Sequence, residues 1–223
     1  MIKTRAISNP TYYVDALNGE FADYAFNEER AEEFRGRWRE AAFGATVQDA
    51  LDVEIGTGNG YFFAHQSSTH TDRLLLGIEI KFKPLIQSIR RALKLNVKNA
   101  RVARFNASFL ENIFDEQEIN NVFIHHPDPW NKNSKHKRRL MKSDFLKKLY
   151  TLQKPGSFLE FKTDSQDYFF WALEEFKNSS YKLERYSEDL HGSDWRDENF
   201  ITHFEKIYME KGQPIYYLRA LRE

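Results

Sequence analysis

Leu51-Asp52-Val53-Glu54-Ile55-Gly56-Thr57-Gly58-Asn59-Gly60-Tyr61 decides the fold. Its first five residues read as a short strand, its three alternating glycines as a tight turn, and Tyr61 to Ser67 as the start of a helix. Glycines at such a turn let the backbone reverse and let a ligand approach the main chain closely. Strand, glycine turn and helix in that order are the context in which a glycine-rich match points to a nucleotide-type cofactor. Working outward, Arg73 to Glu79 reads as a second strand that ends on an acid, 25 residues after Glu54. A carboxylate there can accept hydrogen bonds from both ribose hydroxyls of an adenosine. A helix is predicted from about Lys83 to Asn96, with Pro84 tolerated in its first turn.

Further strands are predicted over residues 100–106, 120–125, 157–162, 181–186 and 213–221. Helices are predicted over residues 143–152 and 166–177, and Ser108 is placed as the cap of a short helix through Phe114. Strands alternating with helices argue for an α/β domain built on a largely parallel sheet of seven strands, with helices on both faces. Upstream, residues 19–43 read as one charged helix with Phe21, Tyr24, Ala25, Ala31, Phe34 and Trp38 as its apolar stripe. The expected organisation is an arm and packing helix over residues 1–50 and a single catalytic domain over residues 51–223. Lys3 and Arg5 lie in the arm.

Composition bounds the function. The chain of 223 residues has 41% hydrophobic and 15% aromatic residues, enough for a packed core. Its 33 basic and 33 acidic residues cancel, so a nucleic-acid partner must be argued from where charges cluster. The absence of cysteine excludes disulfides and thiolate metal sites and is compatible with a reducing cytoplasm, the expected location. No apolar run approaches the roughly 18 residues a membrane-spanning helix needs, and residues 1–10 lack the apolar segment of a signal peptide.

The second informative stretch is His125-His126-Pro127-Asp128-Pro129-Trp130-Asn131-Lys132-Asn133-Ser134-Lys135-His136-Lys137-Arg138-Arg139. It follows the apolar Val122-Phe123-Ile124. Prolines on either side of Asp128 fix their own φ and bias the preceding residues towards extended geometry, which predicts a stiff turn carrying Asp128 and Trp130. In open α/β sheets ligands bind beyond the carboxyl ends of the strands. A carboxylate, an indole and a basic cluster at such an end suit an aromatic, anionic ligand. The competing reading is a solvated charge run. Adjacent histidines are poorly spaced for shared ligation, and no metal site is expected.

Glu54 to Gly60 with Gly77-Ile78-Glu79 resembles the cofactor half of a class I S-adenosylmethionine methyltransferase, a Rossmann-like fold. Pro127-Asp128-Pro129-Trp130 with Lys132, the basic run, Thr163-Asp164 and Thr202-His203-Phe204-Glu205 resemble the tRNA (guanine-N7-)-methyltransferase family. The resemblance covers residue 38 to the C-terminus. It implies S-adenosyl-L-methionine as cofactor, bound or flanked by Glu54, Gly56, Gly58, Glu79, Asn106 and Asp128. It implies tRNA as substrate and methylation of a guanine N7 in the variable loop. Lys132, Asp164, Thr202 and Glu205 would contact the substrate, and Lys135, Lys137, Arg138 and Arg139 the tRNA backbone. Asp128 would be catalytic, in a monomer or homodimer with no membrane or metal partner. The chain departs from the family pattern at Asn131, usually proline or histidine, and at Asn133 and Ser134, usually basic.

Guanine N7 already carries an available lone pair, so no base is required and alignment is most of the task. A carboxylate beside the purine would stabilise the positive charge it acquires. Asp128 is the first candidate, Asp164 or Glu205 the second. Three alternatives stay open: methylation of another RNA or a small molecule, an inactive RNA-binding module, and an NAD-dependent dehydrogenase. The intact acids speak against the second, and the alternating glycines against the third.

Overall fold

The computed structural model describes residues 10–46 and 48–223, so Lys3 and Arg5 lie outside the described residues. The chain divides into two compact units, Met1–Asn120 and Asn121–Glu223. The first contains α1 (Thr11–Asn18), β1 (Ala25–Phe26), α2 (Glu28–Glu33), β2 (Leu51–Ile55), α3 (Tyr61–Thr69), β3 (Leu74–Glu79), α4 (Phe82–Leu93) and β4 (Ala100–Arg104). Its strands run in the order β1-β4-β3-β2, each pair parallel. Every residue of β2 is buried, as a strand covered on both faces requires. One covering layer is apolar: Phe82, Leu85, Ile86, Ile89 and Ala92 of α4 pack with Phe63 of α3 and with Leu75 and Val102. Asp52 enters this buried strand because Arg73 grips both its oxygens at 2.6 Å.

Residues 19–43 do not form the single helix expected. Of the apolar positions, Phe21, Ala25, Ala31, Phe34 and Trp38 are in the core and Tyr24 is half-buried. The backbone, however, turns after Asn18, contributes β1 to the sheet beside β4, and restarts as α2. Asn27 caps α2 by accepting from the Arg30 N–H. Gly36 then takes φ +73°, a conformation that interrupts a helix, before a π-helical turn over Trp38–Ala42. Phe34 packs edge to face on both Phe26 and Trp38 there, and Phe114 lies tilted against Trp38. β1 makes eight strands among the described residues where the sequence predicts seven.

The second unit contains β5 (Val122–His125), α5 (Ser143–Leu152), β6 (Phe158–Thr163), α6 (Gln166–Lys177), β7 (Lys182–Ser187), α7 (His203–Met209) and β8 (Tyr216–Leu221). Its strand order is β5-β6-β8-β7. β5 and β6 are parallel, whereas β8 runs antiparallel to both β6 and β7. β7 alternates exposed and half-buried residues. The chain is α/β with mostly parallel strands, the class its strand–helix alternation predicts.

Candidate functional site

In the first unit the glycine turn leaves β2 with left-handed φ values at Gly56 (+83°), Gly58 (+52°) and Gly60 (+75°). The three glycines serve different ends. A Cβ on Gly60 would lie 2.3 Å from the Ser88 Cα, so this glycine lets α4 cross the turn. A Cβ on Gly56 would meet nothing within 4 Å, and one on Gly58 would meet only the Gly56 carbonyl oxygen, at 4.0 Å. Those two residues leave open main chain that a ligand can approach. Ser88 Oγ secures the turn from below, 2.9 Å from Thr57 Oγ1 and 3.2 Å from the Gly58 oxygen. Gly77, in mid-strand, is needed because a Cβ would sit 2.6 Å from Thr57 and 2.9 Å from Phe63. Sequence reasoning missed Ser88, which lies on the buried side of a helix with no local signal.

Glu79 ends β3 and faces the same turn. Its carboxylate accepts from the Ile80 and Lys81 N–H groups at 2.8 and 2.9 Å and from Gly58 N–H at 3.3 Å. Burial raises its pKa above the usual carboxylate range in spite of those donors. Glu54 is buried within β2, opposite Gly77. Asn106, not Ser108, caps the short 3₁₀ segment Ala107–Asn112, accepting from the Ser108 N–H at 3.0 Å. An open glycine turn beside a strand-end carboxylate suits the adenosine and main-chain contacts of S-adenosylmethionine.

In the second unit β5 delivers the Pro-Asp-Pro-Trp turn. Asp128 is exposed, and Lys132, Lys135, Lys137 and Arg138 are exposed after it. The Arg138 guanidinium lies 5.0 Å, and the Lys135 ammonium 5.8 Å, from the Trp130 ring centre. The backbone differs at His126 from the extended path expected before a proline, taking φ +50°, and Trp130, just after Pro129, takes φ +47°. His126 is held there by its N–H bond to the Lys162 oxygen (2.8 Å) and by its ring contacts.

Arg139 does not join the exposed run. It is 1% exposed. Its Nε donates to the Pro129 oxygen at 2.9 Å, a terminal nitrogen pairs with Asp167, and the guanidinium lies over Tyr168 and Trp171. This arginine clamps the Pro-Asp-Pro-Trp turn onto α6. A charge run in a sequence cannot show which member is withdrawn; Tyr168 and Trp171, three residues apart on one helix, were the available signal.

Asp164, Thr202 and Glu205 come together. Asp164 follows β6, and His126 Nδ1 lies 3.2 Å from its carboxylate. Burial raises the Asp164 pKa, but the bond from His126 outweighs it and the net shift is down. Thr202 caps α7, its Oγ1 accepting from the Glu205 N–H at 3.2 Å. Glu205 is completely buried. Lys162 Nζ lies 3.4 Å from it, Asn199 Nδ2 2.8 Å, His191 Nε2 3.5 Å and His126 Nε2 3.9 Å. Desolvation opposes its charge, yet these donors hold its pKa far below the carboxylate range. His126 therefore spans both carboxylates. Its ring stacks on Tyr208 with 6.2 Å between centroids. Burial lowers the His126 pKa, and the two acids more than reverse that. Next to it, burial pushes His125 down to about 4 while it bonds Glu160 at 2.9 Å. Among the described residues no group of three His, Asp or Glu is arranged to hold a metal ion, and no helix is long and apolar enough to cross a membrane.

A family described as "Putative methyltransferase" matches residues 48–218. A tRNA (guanine-N(7)-)-methyltransferase of Bdellovibrio bacteriovorus is 52% identical over 92% of this chain and 98% of its own length. One of Clostridium novyi is 33% identical over 82% and 85%. Among solved structures, a SAM-dependent methyltransferase from Aquifex aeolicus matches with TM-score 0.54 and 11% identity, over 97% of this chain and 100% of that one. Geranyl diphosphate C-methyltransferase from Streptomyces coelicolor A3(2) matches with TM-score 0.53 and 15% identity, over 88% and 76%. These two establish the shared class I methyltransferase fold. The two tRNA enzymes reach further, and by them the chain belongs to the tRNA (guanine-N(7)-)-methyltransferase family.

Proposed function

We propose that the protein transfers a methyl group from S-adenosylmethionine to N7 of a guanine in the variable loop of tRNA. The 52% identity with the Bdellovibrio bacteriovorus enzyme over nearly the whole of both chains carries this reading. Bound S-adenosylmethionine supplies an electrophilic methyl group on a sulfonium. Gly56 and Gly58 give it open main chain, Glu79 accepts from its ribose hydroxyls, and Glu54 and Asn106 border it. Asp128, exposed on its proline-flanked turn, stabilises the positive charge that develops on the purine. Asp164 grips the guanine edge, its carboxylate kept ionised by His126. Lys132, Lys135, Lys137 and Arg138 meet phosphates, while Arg139 holds their turn in place.

Thr202 and Glu205 serve the guanine through structure. Thr202 fixes the start of α7, and Glu205, buried, orients His126 and through it Asp164. Residues 51–223 form the methyltransferase domain, and residues 1–50 an arm and packing segment. Ala16, Leu17 and Phe21 share one core cluster with Phe63 and Ile86, which supports the packing role. The cytoplasm, where tRNA is matured, is the proposed location. Mass analysis of nucleosides from unmodified tRNA incubated with protein and S-adenosylmethionine tests the proposal. It requires N7-methylguanosine, mapped to the variable loop; a methyl group on another nucleoside or elsewhere in the tRNA overturns it.

A further inference from the structure

Charge is unevenly spread along this neutral chain. Residues 80–110 contain eight basic residues and no acid, whereas the rest of the chain has an acidic excess of the same size. α4 lies at the centre of that segment. It buries Phe82, Leu85, Ile86, Ser88, Ile89 and Ala92 against the first unit. Lys83, Gln87, Arg90, Arg91 and Lys94 recur at helical spacing on the other side, and Lys83, Lys94 and the following Lys98 are exposed. The stripe from Lys83 to Lys94 is roughly 16 Å long at ~1.5 Å per residue.

Two observations separate this face from an ordinary solvated one. Cations in the last turn of a helix are favoured by its dipole, which accounts for Arg90, Arg91 and Lys94. Lys83 stands in the first turn, where the dipole repels it, and that turn has no acid to offset it. The arginines, moreover, lie beside aromatic rings at the surface. The Arg91 guanidinium is 3.7 Å from the centre of the Tyr61 ring, and Arg90 is 5.8 Å from that of Tyr12. Tyr61 is 42% and Tyr12 61% exposed. Arg90 also donates to the Tyr12 hydroxyl at 3.1 Å and Arg91 Nε to the Asn59 oxygen at 3.2 Å, contacts that hold each guanidinium in place while leaving further N–H groups of its fork for phosphate. Glu20, 3.4 Å from Arg90, sits on the same side as an acidic neighbour.

We propose that the outer face of α4, with Tyr12 and Tyr61, is a second docking surface for tRNA, taking the sugar-phosphate backbone of one of its helical arms. The proposal rests on the tRNA reading given above. It also meets a need of that reading. With Arg139 buried, the run after Trp130 offers fewer cations than its sequence suggests, and a neutral chain gains no general attraction for a polyanion.

The test is a Lys83→Gln/Lys94→Gln/Lys98→Gln variant, whose three side chains lie outside the cofactor turn and the Pro-Asp-Pro-Trp site. Binding of tRNA is measured across a salt series by filter binding or fluorescence anisotropy. The slope of log K against log salt is expected to fall by roughly 2–3, at about 0.7–0.9 per lost phosphate contact. Calorimetric affinity for S-adenosylhomocysteine and the melting temperature stay at wild-type values. A wild-type slope in a variant that folds normally overturns the docking surface. The functional reading fails differently: a wild-type protein that forms no N7-methylguanosine in tRNA removes that reading and this surface with it. Methylation by the wild type together with an unchanged slope removes the surface alone.

Discussion

Lys162→Met is the most demanding substitution for this account. Lys162 is 2% exposed at the end of β6, Glu205 is 0% exposed, and their charged atoms are 3.4 Å apart. At an effective dielectric constant of ~20 the pair attracts by about 5 kcal/mol, against the cost of removing both ions from water. Deleting the ammonium leaves Glu205 buried with Asn199 and the imidazoles of His126 and His191. Breaking a buried pair from one side costs roughly 3–5 kcal/mol. For a chain of this size each kcal/mol lowers the melting temperature by roughly 2–4 °C, so a fall of about 6–20 °C is expected. Adding Glu205→Gln removes the stranded charge, and the double variant should regain at least half of the loss. Circular dichroism melts at low and high salt give the numbers, and the loss should be nearly independent of salt. A loss below ~1 kcal/mol, the range of exposed pairs, would refute the reasoning. So would a double variant whose losses simply add. Either result would mean that the Lys162 ammonium does not hold the buried Glu205 charge in place.

The remaining predictions concern the site. Glu79→Gln should weaken S-adenosylhomocysteine binding in calorimetry by roughly tenfold or more, since charge-assisted bonds are worth ~1.5–3 kcal/mol each; unchanged affinity sinks the ribose assignment. Because burial raises the Glu79 pKa, wild-type affinity should fall on acidification at a higher pH than an ordinary carboxylate would allow. The His126 pKa is raised, so its contribution to stability is complete below the ordinary value of 6.5 and is lost as pH rises through the raised one. Urea midpoints should therefore drop on that alkaline side in the wild type and not in His126→Gln, and parallel curves would exclude the bridge to Asp164 and Glu205. Gly60→Ala, with its Cβ 2.3 Å from Ser88 Cα and φ at +75°, should cost about 1–3 kcal/mol and weaken cofactor binding; a normal melt and affinity would mean α4 does not cross there. Asp128→Asn should slow single-turnover methylation by about 10²-fold with little change in melting temperature or tRNA binding; a near-normal rate removes Asp128 from catalysis.

Much of the fold is legible because its signals are local. The glycine turn after Leu51–Ile55, the strand ending at Glu79 and the amphipathic α4 are each set by residues within one turn or strand. Residues 19–43 show where local reading fails. Their apolar stripe does point inwards, but the pairing of Ala25 and Phe26 with β4, about 77 residues away, overrides the helical pattern. Gly36 and Asn27 were the visible marks of that break. The site divides in the same way. Glu79 and Asp128 lie where strand ends place them. The charge bridge from Glu205 through His126 to Asp164 joins residues up to 79 apart in sequence, so no spacing reveals it. Lys162 reads only as a strand end and Arg139 as a tRNA-backbone cation, yet both are buried, because their partners come from elements that only the fold brings near.

The central claim is that methyl transfer is to N7 of a tRNA guanine, and replacing that one atom tests it most directly. Two otherwise identical tRNAs, one with guanosine and one with 7-deazaguanosine in the variable loop, are compared in single-turnover reactions with labelled S-adenosylmethionine. The account predicts stoichiometric labelling of the first, recovered as N7-methylguanosine, and none of the second, which binds equally well. Equal labelling of both tRNAs would contradict it.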